Sequence, residues 1–431
     1  MENFFVKHRQ GKLTFSLPSG WTVLTFATFD DHPGDKDVER ISRRALNNPI
    51  GSSPLKCSLS PSDTVAILIE DHTRKSPKKA VLKILLDELA AIGIARENIS
   101  VIVALGTHKG LSAEELKSVY GDEAVEGYTF VNHDCYAQDL VPVARLKTGT
   151  IVKINKKVHD ASFKIGVGSI FPHPMNGFGG GGKILYPGVS DFDSTLEHHL
   201  KYSFRDGSHL GALEGNRFYE EVSDIAKTAG LNFIVNSVLD HNDHLFSMVA
   251  GNPIEAHRAG VEQCREIITR KFQKRADVTI ISSFPYTEGP QIMKPFAPAS
   301  LITRKNGVVI LVAECTSPIP DAYVEGCERF RLKYGHNLRK SLFEFFDRNR
   351  RIIEEGSPEL NMSVAQALLA QNDHKVIMVT RDIPSETVER LGFYFAEDFD
   401  QAIAMSANLV PSPEVHVIPA GGVILPILED N

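Results

Sequence analysis

Residues 64–69 run Thr64-Val-Ala-Ile-Leu-Ile69, and the chain then turns at once to Glu70-Asp71-His72-Thr73-Arg74. An apolar, β-branched run of this length fits a strand buried on both faces, and the abrupt change to charge and imidazole marks its carboxyl end. The pattern returns. Residues 100–105 lead into Gly106-Thr107-His108-Lys109, and residues 163–169 lead into Phe171-Pro-His173-Pro-Met-Asn-Gly177-Phe-Gly179-Gly-Gly-Gly182-Lys183. Between them, residues 78–91 have the spacing of an amphipathic helix and Ser112-Ala-Glu-Glu115 is a capping box. A further strand is expected at residues 232–238. Strands alternating with helices predict an α/β fold with mainly parallel sheets.

With 431 residues the chain exceeds one ordinary core, so two domains are expected, each a mainly parallel sheet flanked by helices, with the active site in the cleft between them. A long helix over 253–272 ends in the basic stretch Arg270–Arg275, after which strands restart at 277–282, 307–313 and 374–380. The reading gives an N-terminal catalytic domain over 1–273 and a second α/β domain over 274–410. The tail, 411–431, is read as returning to the first domain.

Hydrophobic residues make up 42% and charged ones 23%, which excludes a disordered or collagen-like chain. Asp plus Glu (54) exceeds Lys plus Arg (47), and no basic run offers a footprint for nucleic acid. Five dispersed cysteines without a Cys-x-x-Cys pair suit reduced thiols. With no signal-like apolar segment and no run of ~18 apolar residues, a cytoplasmic enzyme without a membrane span is expected.

In open parallel sheets, ligands bind beyond the carboxyl ends of the strands. Asp71, Thr73, Arg74, His108, His173 and Lys183 all follow such ends. Gly177-x-x-x-x-Gly182-Lys183 matches much of a phosphate loop, but Ile184 stands where Ser or Thr would hold Mg²⁺. The run Gly177, Gly179, Gly180, Gly181 and Gly182 still allows backbone N–H groups to approach a phosphate, with a helix N-terminus behind them. His198 and His199 are adjacent, so at most one should face the site. Asp240-His241-Asn-Asp243-His244 is read as a solvated loop, and His8, His32, His159, His209, His336 and His416 as ordinary histidines. Two other readings stay open. One is a zinc hydrolase using His108, His173 and His199, and the other is a protein that binds a phosphorylated ligand through the glycine run.

Asp71-x-Thr73-Arg74, Gly106-Thr107-His108, His173-Pro-x-x-Gly-Phe-Gly-Gly-Gly-x-Lys183 with Pro187-Gly188, His199, and Gln291-x-x-Lys294-Pro295 together resemble the lactate racemase family. Its members use a nickel-pincer nucleotide, a pyridinium bisthiocarboxylic acid mononucleotide that binds nickel through one carbon and two sulfurs. The resemblance implies that His199 completes the nickel coordination and that Lys183 holds the cofactor, covalently or by charge. It implies His108 and His173 as an acid–base pair, and Arg74, Gln291 and Lys294 as the grip on a 2-hydroxy acid carboxylate. Asp71 and Thr73 would support the cofactor or Arg74. Other proteins would mature the cofactor. Lactate-specific members carry an aromatic wall, commonly a tryptophan in the second domain; here the only tryptophan is Trp21. Phe343, Phe346 or Tyr334 could replace it, and a larger or more polar 2-hydroxy acid is as consistent with the sequence as lactate.

Overall fold

The structure is a computed structural model that describes residues 3–9, 11–29, 37–205 and 207–429. The chain divides into two compact units, residues 31–267 and residues 1–30 together with 268–431.

The first unit is built on a six-stranded sheet in the order Leu245–Gly251, Phe233–Leu239, Phe163–Ile170, Val65–Glu70, Ile99–Ala104, Thr129–Asn132. All neighbours are parallel except the edge strand Leu245–Gly251, which runs antiparallel to Phe233–Leu239. Every residue of Val65–Glu70 is buried, as a central strand covered on both faces requires. The helix Lys78–Ile92 lays Val81, Leu82, Leu85 and Leu89 on the same core as Ile67, Ile69 and Val101. The capping box forms as read: Ser112 Oγ accepts the Glu115 N–H, and the Glu115 carboxylate accepts the Ser112 N–H.

The second unit carries an entirely parallel six-stranded sheet in the order Tyr394–Ala396, Lys375–Val379, Thr303–Val312, Ala276–Ser282, Glu414–Ile418, Thr22–Phe26. The hairpin of Asn3–His8 and Gly11–Ser16 adds Phe4, Val6 and Phe15 to its core, and the Phe15 and Phe399 rings stack at 4.0 Å.

Three boundaries differ from the sequence reading. The first thirty residues belong to the second unit, because Thr22–Phe26 extends that sheet beside Glu414–Ile418. The tail lies in the second unit: Glu414–Ile418 is inside its sheet, and Leu425–Leu428 pairs with Thr269–Phe272. The helix read over 253–272 stops at Ile268, where Thr269-Arg-Lys-Phe272 becomes that strand and buries Phe272. Among the described residues no helix is long and apolar enough to cross a membrane.

A chain lacking residues 1–29 should lose Phe4, Val6, Phe15 and Leu17 from the second core, each worth about 2 kcal/mol when buried. Calorimetry should then show a weakened or missing transition for that unit beside a near-normal one for residues 31–267. Two unchanged transitions would contradict the assignment.

Candidate functional site

Val65–Glu70 lies between Ile99–Ala104 and Phe163–Ile170, and all three are parallel, so their following loops emerge at one edge of the sheet. Asp71 and His108 meet there: His108 Nδ1 donates to Asp71 Oδ2 at 2.7 Å. The other oxygen, Oδ1, accepts both the backbone N–H of Thr73 (3.0 Å) and its hydroxyl (2.5 Å). Burial alone would raise the Asp71 carboxyl. The hydrogen bond and charge of His108, the charge of Arg74 and the Thr73 hydroxyl together hold it well below the usual carboxylate range. Asp71 is therefore a fixed anion, and its bond to Nδ1 leaves Nε2 as the working nitrogen of His108. The Arg74 guanidinium lies over the Phe171 ring, 4.9 Å from its centroid, which joins the loop after Val65–Glu70 to the one after Phe163–Ile170.

His173 is wired the other way. Its Nδ1 accepts backbone N–H bonds from Met175 (3.3 Å) and Asn176 (3.1 Å), so the hydrogen of a neutral ring sits on Nε2. That nitrogen faces Lys183 Nζ at 3.0 Å. The bond is satisfied when Nε2–H donates and Lys183 accepts as a neutral amine; a protonated lysine would set donor against donor.

The glycine run packs against protein. Gly177 adopts φ +76, and a Cβ there would stand 2.0 Å from the Ala212 carbonyl oxygen. Added methyls at Gly179, Gly181 and Gly182 would strike the Phe171 ring, the His257 ring and the Ala226 methyl, at 2.6, 2.7 and 2.7 Å. The Gly179 N–H donates to Phe171 O (2.8 Å), and Gly181 N–H donates to Asn236 Oδ1 (2.8 Å). From below, His257 Nε2 donates to Gly179 O at 2.9 Å. Behind the run stands only the short 3₁₀ turn Gly181–Ile184, without the long helix that a phosphate loop places there. This backbone is shaped to aim Lys183, and the amides of Gly179 and Gly181 are already used.

Both adjacent histidines of the helix Phe192–Tyr202 are buried, and their surroundings differ. His198 is caged by the rings of Tyr186, Tyr202 and Phe218, and its Nε2 meets Phe218 O at 3.3 Å. Burial first, then the neighbouring His199, keeps it far below the usual imidazole range and therefore neutral. His199 donates from Nδ1 to Thr195 O (2.8 Å), which puts its lone pair on Nε2, the wiring typical of a metal-bound histidine.

Among the described residues no three His, Cys, Asp or Glu side chains converge as a metal site, neither His108, His173 and His199 nor the acidic and imidazole groups of the 240–244 loop. There Asp240 Oδ1 instead accepts the backbone N–H groups of Asn242 and His244. His32 lies outside the described residues.

Gln291 and Lys294 belong to the second unit, where Lys294 Nζ donates to Gln291 Oε1 at 3.1 Å. The aromatic ring beside them is Tyr286, with Lys294 Nζ 4.4 Å from its centroid. Phe346 is fully buried and Tyr334 packs on Phe330. The sequence reading also missed Phe171, Asn236 and His257. A lone Asn within the apolar strand Phe233–Leu239 was the available signal for Asn236.

Residues 8–211 match the family model for the lactate racemase N-terminal domain. The lactate racemase of Thermoanaerobacterium thermosaccharolyticum is 29% identical over 428 residues, 98% of each chain. The likeness to lactate racemases thus spans nearly the whole chain. The Lactiplantibacillus plantarum lactate racemase is 27% identical over 418 residues, 94% of this chain and 95% of its own. The lactate racemase apoprotein from T. thermosaccharolyticum has the same architecture, with a TM-score of 0.87 at 27% identity and 100% of both chains covered. A Thermotoga maritima protein shares the fold, with a TM-score of 0.63 at 15% identity over 91% of this chain and 98% of its own.

Burial pushes His257 down to about 4, whereas an unfolded histidine titrates near ~6.5. Between those values the unfolded chain takes up a proton that the folded chain refuses, so stability falls as pH drops through the window. The slope from this group is about 1.4 kcal/mol per pH unit. His257→Gln keeps a donor for Gly179 O and should flatten the loss. Denaturant melts from pH 7 to 4 would show it, and an unchanged slope would contradict the assignment.

Proposed function

We propose that this protein is a racemase or epimerase of a 2-hydroxy acid, lactate or a larger or more polar relative, working with a nickel-pincer nucleotide. The observation that carries the reading is the paired wiring of two imidazoles. Nδ1 of His108 donates to a carboxylate, which leaves its Nε2 bare as a base, whereas Nδ1 of His173 accepts from backbone amides, which leaves a hydrogen on its Nε2 to donate. Moving a hydroxyl proton off and back on during inversion needs such an acceptor and donor, and imidazoles titrate near neutrality.

The chain's residues fit the cofactor. His199 has a metal ligand's wiring, and Lys183 Nζ lies 3.0 Å from His173 Nε2. A lysine amine that gives up its proton is a nucleophile, so Lys183 can hold the cofactor covalently, or by charge when protonated. When bound, the nucleotide would accept the Cα hydrogen as hydride and return it to either face. The protein supplies the rest. One imidazole takes the hydroxyl proton as the 2-keto acid forms, and the Asp71 carboxylate stabilises His108 when it is the ring that carries the proton. Arg74 offers a bidentate fork to a carboxylate, and in the second unit the Gln291–Lys294 pair offers an amide and a point charge. Asp71 and Thr73 act through His108 rather than on the cofactor. The glycine run positions Lys183, and maturation proteins would deliver the nucleotide.

The test is to mature the protein in a cofactor-producing lysate and measure nickel, intact mass and racemisation of L- and D-2-hydroxy acids. About one nickel per chain and an adduct mapping to Lys183 are expected by the one-site reading. His108→Asn should lower kcat by roughly 10²–10⁴ with nickel unchanged. Loss of nickel in that variant would assign His108 to cofactor binding, and no racemisation of any 2-hydroxy acid would sink the reading.

A further inference from the structure

Glu70 is a buried ionisable group that the chemistry above leaves unused. It ends the central strand at 8% exposure, next to Asp71. Its Oε2 accepts the hydroxyl of Ser169, on the neighbouring strand Phe163–Ile170, at 2.8 Å. Its Oε1 accepts the hydroxyl of Ser76, six residues further along the chain. The Glu70 carbonyl accepts the Tyr120 hydroxyl at 2.9 Å. Lys78, also buried, donates from Nζ to the carbonyl oxygen of Arg74. Asp71, Thr73 and Arg74 all lie on the segment between Glu70 and Ser76.

Burial pushes the Glu70 carboxyl up and the Lys78 ammonium down, so both groups sit where charge is costly. A carboxyl placed there is strongly held to whatever hydroxyls it can reach, because leaving it without them costs more than the bonds are worth in water. Ser169 belongs to the sheet and Ser76 to the loop, so a side chain joining both ties the far end of the loop to the framework.

We infer that Glu70 is a positioning residue: by bridging Ser169 and Ser76 it closes the loop 71–76 and fixes where Arg74 meets the substrate carboxylate. The substrate half of this inference rests on the racemase reading; the closure of the loop does not. Glu70 touches no reacting atom and acts through Arg74, so it governs substrate capture more than the chemical step.

Ser76→Ala removes one end of the bridge without emptying the core, and it avoids the misfolding that Glu70→Ala could cause. In the protein without cofactor, hydrogen–deuterium exchange of amides 71–76 should quicken several-fold more than that of the strand amides 163–169, whatever the fall in melting temperature. In the matured enzyme KM for lactate should rise about tenfold, the worth of one well-made hydrogen bond, with kcat within about twofold. Ser76→Thr keeps the hydroxyl and should restore both, and Glu70→Gln, which can still bond both serines, should stay near wild type. Unchanged exchange in Ser76→Ala would overturn the clamp. Quickened exchange with KM unchanged and kcat reduced would overturn its role in capture. Should the wild type racemise no 2-hydroxy acid, the racemase reading fails alone, and the exchange data still decide the loop closure.

Discussion

Two carboxylates in succession at the end of a fully buried strand impose the constraint from which the site follows. Glu70 and Asp71 are 8% and 4% exposed, and each must be met by donors or it destabilises the fold. The donors come from two loops and a neighbouring strand: His108 and Thr73 for Asp71, Ser169 and Ser76 for Glu70. Satisfying those oxygens fixes the loops after two adjacent strands with respect to each other and to the strand Phe163–Ile170. The imidazole that results is oriented, backed by an anion and 38% exposed at its side chain, so it can work on a bound molecule.

The same economy governs the glycine segment. Its residues are small because the Ala212 carbonyl, the Phe171 and His257 rings and the Ala226 methyl press against it. Polar side chains beneath it, Asn236 and His257, each hold one backbone group. The flexibility that glycine would bring is removed by packing, and Lys183 leaves a rigid base. A loop rich in glycine is here a close-packed element, which its composition alone did not reveal.

What could be read from sequence was what local chemistry determines. The central strands, the helix Lys78–Ile92 and the Ser112 capping box follow from hydrophobic period and cap residues, and their positions agree to within a residue or two. The grouping of Asp71 with His108, and of His173 with Lys183, was legible because parallel strands bring their ends to one edge. Long-range partnership was not legible. Nothing in Thr269-Arg-Lys-Phe272 announces that it pairs with Leu425–Leu428, and nothing in residues 22–26 points to a partner at 414–418. His198 and His199 look alike in sequence; Phe218 and Thr195, which tell them apart, are brought in by the fold.

The route of the backbone through the second unit has a bearing on synthesis. Thr22–Phe26 pairs within its sheet only with Glu414–Ile418, so it leaves the ribosome long before the strand it pairs with. Residues 31–267 meet no such delay, since all strands of their sheet are in hand once that stretch has emerged. The unit holding His108, His173, Lys183 and His199 can therefore fold while the rest is still being translated. The hairpin Asn3–His8 and Gly11–Ser16, with its exposed edge and unburied phenylalanines, is meanwhile the segment most in need of shielding by chaperones.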